Sequence, residues 1–316
     1  MTFTFVFPGQ GSQTIGMGRD LFENFEAARL VMAEAEEALH QKISTLMFEG
    51  PSDTLMLTEN TQPALLIASI MAFRVLMDET KAATPAQLSP IMAGHSLGEY
   101  SALCAAGYLS LTDAVQLVRL RGQAMQKAVP VGLGAMAAIL GLDLSIVESL
   151  LKDYTNPSNY CVVANDNSPG QIVISGHKAA VDEAIIRATE AGAKRSLLLP
   201  VSAPFHSPLM EPAAHVMEDA LNKVTIHDGT AQVIANVTAM PIVSKEFIIP
   251  SLVSQITGRV RWCESITHIK QLGSSSFVEL GVGKVLCGLI KRIEPDTTAI
   301  SVQTAADVGA FLEKLK

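Results

Sequence analysis

Short apolar runs alternate with stretches of helical period along the first 130 residues. Phe3–Phe7 is a near-continuous apolar run that predicts a buried strand, followed by a loop carrying Gly9, Gly11 and Gly16. Helical spacing then covers 20–40 and 62–78. The run Ile91-Met92-Ala93 predicts a second short strand. It leads into a helical segment opening Glu99-Tyr100-Ser101-Ala102, and a further helix is expected from Asp113 to about Val129. This alternation predicts an α/β fold with a mainly parallel sheet.

The texture changes at Pro130-Val131-Gly132-Leu133-Gly134. Beyond it the pattern predicts strand 135–140, helix 143–152, strands 161–165 and 171–175, helix 178–191 and strand 194–199. The order β-α-β-β-α-β matches a ferredoxin-like unit. Strand Phe277–Leu280 and a helix from Lys284 to Arg292 then resume the first texture. The expected organisation is a large α/β domain made of 1–131 and 200–316, with a small domain, 132–199, inserted.

Composition narrows the class. The 316 residues are 48% hydrophobic and 17% charged, as in a globular protein. A net charge of −8 argues against wholesale binding of nucleic acid or an acidic membrane. Cys104, Cys161, Cys263 and Cys287 are scattered and form no C-x-x-C pair, so free thiols are expected rather than disulfides or zinc. The segment Met1–Pro8 lacks a basic region and a long apolar stretch, and it reads as a strand rather than a secretion signal. No apolar run is expected to span a bilayer. These features point to a soluble, cytoplasmic protein.

The candidate chemistry centres on Gly94-His95-Ser96-Leu97-Gly98, a G-x-S-x-G between an expected strand and an expected helix. That setting lifts a serine hydroxyl clear of a sheet, and N–H groups at the helix start can stabilise negative charge. An ordinary glycine-rich turn has the same letters. A nucleophile needs a base. His95 adjoins Ser96, where successive side chains diverge; His40 and His215 fall on polar helix positions, His177 begins a helix, and His227 and His268 lack a distinctive setting. His206 stands between the strand-like run 195–201 and the helix-start signature Ser207-Pro208. That placement suggests the sheet rim that presents Ser96, with a pKa lowered by the helix N-terminus. A structural histidine is the competing reading.

Arg121 falls on the apolar stripe of its helix, with Leu117, Val118, Ala124 and Met125, whereas Arg119 is expected to face solvent. An arginine facing the core needs a partner: a structural carboxylate or a substrate carboxylate, which Gly122 would let approach closely. The loop Pro8–Gln13 lacks the Lys-Ser/Thr of a phosphate loop and the third glycine of a dinucleotide site. A second oxyanion donor at the end of the first strand is the more economical use of it. No metal-ligand spacing occurs.

Together these features resemble the malonyl-CoA:acyl-carrier-protein transacylase family. The motifs are FPGQGSQ (7–13), NTQPAL (60–65), GHSLGEY (94–100), RGQAM (121–125), GAMAAILG (134–141), NDNSPGQIVISG (165–176), PFHS (204–207) and GKVLCGLIKR (283–292). The resemblance implies an α/β-hydrolase-like large domain and ping-pong transfer of a malonyl group from malonyl-CoA to phosphopantetheinylated acyl carrier protein. It makes Ser96 the nucleophile, His206 the base, and Arg121 the anchor of the malonyl carboxylate. The N–H groups of Gln10 and Leu97 become the oxyanion hole, and the Gln255 backbone carbonyl orients the histidine. Gln62, Met125, Asn165 and Gln171 would line the pocket, with Phe205 excluding an α-methyl branch. It further implies no bound cofactor, a transient carrier-protein partner, a monomer, and Lys284, Lys291, Arg292 and Arg195 as candidate docking residues. The chain departs from the family pattern at Gly258–Trp262 and Gly281–Lys284, departures expected to change local loop shape and to leave the catalytic residues untouched. A serine thioesterase, a polyketide-pathway acyltransferase and a non-enzymatic carrier-binding module are the alternatives.

Overall fold

The computed structural model of the chain describes residues 2–201 and 203–316. The strands are β1 (Thr4–Phe7), β2 (Ile91–Gly94), β3 (Gly134–Leu140), β4 (Cys161–Ser168), β5 (Gln171–His177), β6 (Arg195–Leu198), β7 (Gln232–Ile234), β8 (Ser276–Leu280) and β9 (Thr298–Val302). Helices α1 (Arg19–Asn24), α2 (Glu26–Leu39), α3 (Ile43–Glu49), α4 (Ser52–Leu55), α5 (Thr58–Thr80), α6 (Pro85–Leu88), α7 (Gly98–Ala106) and α8 (Leu111–Lys127) precede the small sheet. Helices α9 (Leu144–Leu150) and α10 (Lys178–Glu190) belong to it. Helices α11 (Glu211–Leu221), α12 (Ile248–Thr257), α13 (Trp262–Gln271), α14 (Val285–Ile293) and α15 (Ala305–Leu315) follow.

The expected 20–40 helix is broken at Phe25, whose extended backbone separates α1 from α2. Helix α5 is apolar on nearly every face because it runs through the core. It is long and apolar enough to cross a membrane by length and composition, contrary to the sequence expectation, but 89% of its apolar window is buried inside the protein.

A five-stranded sheet of order β7-β2-β1-β8-β9 is parallel at every pairing. Its central strand β1 is buried along its length, which explains the unbroken apolar run Phe5-Val6-Phe7. Leaving α8, the chain builds a second sheet of order β4-β5-β3-β6, antiparallel throughout. That sheet and its two helices enclose an apolar cluster of their own, including Ile139, Val147, Ile174 and Val181. The lobes are stitched together beside the cleft. Val260 and β4 exchange backbone bonds (Asp166 N–H to Val260 O, 3.0 Å; Val260 N–H to Ala164 O, 2.8 Å), and Arg259 pairs with Glu148 at 2.7 Å.

Candidate active site

The chain turns from β2 into α7 within three residues, and Ser96 takes a left-handed backbone, φ 54°. The turn is too tight for side chains on either flank. A Cβ on Gly94 would lie 1.8 Å from Gly98 O, and one on Gly98 would lie 2.3 Å from Phe7 O. Asn236, just beyond β7, clasps the turn from below. Its Oδ1 accepts from Ser96 N–H (2.8 Å) and its Nδ2 donates to Gly94 O (2.7 Å). His95 points elsewhere, toward Asn167 Oδ1 (2.8 Å) and the edge of Trp262.

Ser96 Oγ lies 2.8 Å from His206 Nε2. His206 Nδ1 faces two backbone carbonyls, Gln255 O at 2.8 Å and Gly258 O at 3.1 Å, so Nδ1 carries the proton and Nε2 accepts from the serine hydroxyl. Burial first, and then the nearby Arg121 cation, push the His206 pKa down to about 3. The imidazole is therefore neutral and ready to take a proton. The structure changes two expectations about this residue. Strand β6 belongs to the small sheet, so His206 reaches Ser96 on the crossover back to the large lobe, not from a shared sheet rim. Its lowered pKa comes from burial and Arg121 rather than from a helix N-terminus. Gly258 is also a direct partner of the histidine, so the departure at 258–262 does touch the catalytic pair.

Arg121 is 1% exposed. Its Nη1 donates to Gln62 Oε1 (3.0 Å), and its Nη2 to Gln255 Oε1 (2.9 Å) and Ser96 Oγ (3.2 Å). Tyr100 presents its ring 5.8 Å from the guanidinium carbon. Among the described residues no salt bridge neutralises this cation, and its Nε has no hydrogen-bond partner. Gly122 serves packing instead of substrate access: a Cβ there would meet the α5 backbone at Glu59, 2.7 Å away. Arg119 is half-buried, not solvated, and bonds Asn60 and Gln41, both at 2.7 Å.

A cleft of about 110 Å³ opens above Ser96. Gln10, Gln62, Leu97, Arg121, Met125, Phe205 and His206 line it, with Met136, Asn165 and Leu199 from the small lobe and Val201 from the crossover. The backbone N–H groups of Gln10 and Leu97 are taken up by no hydrogen bond among the described residues. Gln171 lies apart from this cleft, at the start of β5, where its Oε1 accepts from Arg292 Nη1 (2.6 Å). No cluster of His, Cys, Asp or Glu able to hold a metal occurs among the described residues. The arrangement can thus deprotonate a serine, stabilise an oxyanion, and meet a negative charge a few ångströms from the reacting atom.

The acyl transferase domain family matches residues 4–306. The malonyl CoA-acyl carrier protein transacylase of Bacillus subtilis (strain 168) is 46% identical over 312 residues, covering 99% of this chain and 96% of that protein. The chain belongs to this family. Among solved structures, the acyl-carrier-protein-S-malonyltransferase of Bartonella henselae superposes with a TM-score of 0.95 at 50% identity, covering 100% of this chain and 99% of that one. A malonyl-transacylase solved in complex with its type II PKS acyl-carrier protein gives 0.94 at 41% identity, with 99% and 100% covered.

Within this transacylase family member, sequence reasoning missed Asn236, Glu99 and the Gln255 side chain. Glu99 is fully buried beneath the serine turn, and its Oε2 accepts from Asn236 N–H (3.0 Å) and Gln255 Nε2 (2.7 Å). Burial pushes its pKa up to about 7. The one available signal was the place of Glu99 in the GHSLGEY motif, three residues after Ser96.

Proposed function

We propose that this enzyme transfers a malonyl group from malonyl-CoA to the phosphopantetheine thiol of an acyl carrier protein through a malonyl-Ser96 ester. His206 Nε2 takes the Ser96 proton as Oγ attacks the thioester carbonyl. The oxyanion forms toward the Gln10 and Leu97 N–H groups, each such donor being worth about 3 kcal/mol. Collapse breaks the C–S bond, and the departing CoA thiolate takes the proton from His206. The carrier thiol then passes its proton to His206 and attacks the ester, which restores Ser96. Side chains and the two substrates carry every step, so no bound cofactor is part of this reading.

The observation that carries the proposal is Arg121: a buried cation with no ion pair among the described residues, 3.2 Å from the nucleophile. A malonyl carboxylate would neutralise it through charge-assisted hydrogen bonds, whereas an acetyl group would not. Met125, Asn165, Gln62 and Phe205 bound the acyl group in this reading, and Gln171, outside the cleft, does not. The solved complex of a similar transacylase with its acyl-carrier protein supports the partner class. Lys284 and Arg195 are exposed and available to an acidic carrier; Lys291 and Arg292 are exposed but already donate to Thr297 O and Gln171.

The same reading assigns 1–131 and 200–316 to an α/β-hydrolase-like domain and 132–199 to a ferredoxin-like insertion. The parallel sheet with its serine turn supports the first name. The antiparallel order β4-β5-β3-β6 and the separate apolar cluster support the second. A cytoplasmic monomer completes the proposal. Intact-mass analysis tests it: malonyl-CoA should leave one malonyl adduct, absent in Ser96→Ala and discharged onto added carrier protein. An adduct that persists in Ser96→Ala, or one released only to water, would overturn it.

A further inference from the structure

Three parts of the site come from distant stretches of chain: the Ser96 turn, the Arg121 guanidinium and the His206 ring. Gln255, on α12 and fully buried, touches all three. Its backbone carbonyl accepts from His206 Nδ1. Its side-chain Oε1 accepts from Arg121 Nη2 (2.9 Å), and its Nε2 donates to Ser96 O (2.9 Å) and to Glu99 Oε2 (2.7 Å). The amide works in one orientation only. Turned over, it would aim N–H groups at the guanidinium and a carbonyl at both the Glu99 carboxylate and Ser96 O. Each of the three contacts would become repulsive or empty.

Glu99 selects that orientation from below. Its Oε2 also accepts from Asn236 N–H, and Asn236 bonds Gly94 O and Ser96 N–H of the serine turn. Oε2 can accept both donors whether or not the carboxyl is ionised, because Oε1 makes no hydrogen bond among the described residues and could carry a proton. The charged and titratable groups that act on Glu99 are Arg121 from α8 and Tyr100 beside it on α7.

We infer that the Gln255 side-chain amide, held in one orientation by Glu99, is a positioning element that locks the malonyl anchor Arg121 to the Ser96 turn. The inference rests on the malonyl-transfer reading and adds a residue pair that never touches substrate. Its function is geometric. Arg121 keeps a fixed distance and angle to Oγ, so a carboxylate bound to the guanidinium places its thioester carbon over the nucleophile. A loose anchor would still attract malonyl-CoA but would misplace the reacting carbon.

The test is the ratio of malonyl to acetyl loading on Ser96, measured by intact mass at short times on folded protein. Gln255→Met keeps the side-chain volume and the backbone carbonyl that orients His206, but it removes both amide contacts. The ratio should fall about tenfold or more, through the loading rate rather than through KM for malonyl-CoA. Glu99→Ala should lower the ratio similarly. Glu99→Gln, which still offers an oxygen to Gln255 Nε2, should restore it to within about threefold of wild type. If Glu99→Ala does not fold, Gln255→Met and Glu99→Gln decide the matter. An unchanged ratio in Gln255→Met, or Glu99→Gln behaving like Gln255→Met, would overturn the inference. A wild-type protein that forms no malonyl adduct would overturn the malonyl-transfer reading and this inference with it.

Discussion

The two walls of the cleft are built on opposite principles. Its floor, from the large lobe, is a buried polar network: Ser96, Arg121, Gln62, Gln255, Asn236 and Glu99 all hydrogen-bond within it. Its opposite wall is apolar, made by Met136 and Leu199 of the small lobe and Val201 of the crossover, with Asn165 as the polar exception. The strand edge beside that wall is open, with Leu198 half exposed. A buried network of directional bonds resists displacement, because each broken bond leaves an unsatisfied polar atom. An apolar wall repacks at lower cost. The floor therefore fixes charge and geometry, while the wall sets the volume available to the acyl chain.

Disturbing the floor should produce the larger effects. His206→Ala should cut Ser96 loading by about 1,000-fold while leaving the fold intact, as measured by intact mass and thermal melting. In the wild-type enzyme the lowered pKa of about 3 keeps His206 a proton acceptor far below the usual range. Loading per folded molecule should thus stay level as pH drops through about 6.5, where an unperturbed histidine would protonate and fail. A loss of loading centred near 6.5 would mean that His206 is exposed to solvent in the working enzyme. Disturbing the wall should change selectivity more than rate. Met136→Ala should alter malonyl loading by less than about threefold, yet raise methylmalonyl relative to malonyl loading by about tenfold. An equal loss for both substrates would show that the wall is as rigid as the floor.

The contrast between local and distant information also explains what was readable in the sequence. The Ser96 turn is a local event, since two glycines and a strand-to-helix transition specify it within five residues. Arg121 was readable because helical period alone places it on a buried stripe. His206 does stand beside Ser96, but by a route that the local sequence does not show. The chain reaches it by leaving the small sheet, and no local pattern says which sheet a short strand will join. Asn236 and Gly258 carried no signal, because their roles depend on β7 pairing with β2 and on α12 reaching the Ser96 turn from far along the chain. Gln255 was named through the family resemblance for its backbone carbonyl, yet its side chain bonds Arg121, Ser96 and Glu99 in the site, where the carbonyl bonds His206 alone. Gly122 shows the reverse error: a glycine read as access for substrate is needed for helix packing.

The central claim is that Ser96 carries an acyl group chosen by its carboxylate. Competition between equal malonyl-CoA and acetyl-CoA, read by intact mass on wild type and Arg121→Ala, tests it most directly. Wild type should carry malonyl almost alone, and Arg121→Ala should lose malonyl loading by about 100-fold while acetyl loading changes less than about threefold. Equal losses of both adducts would contradict the account and leave Arg121 a structural residue.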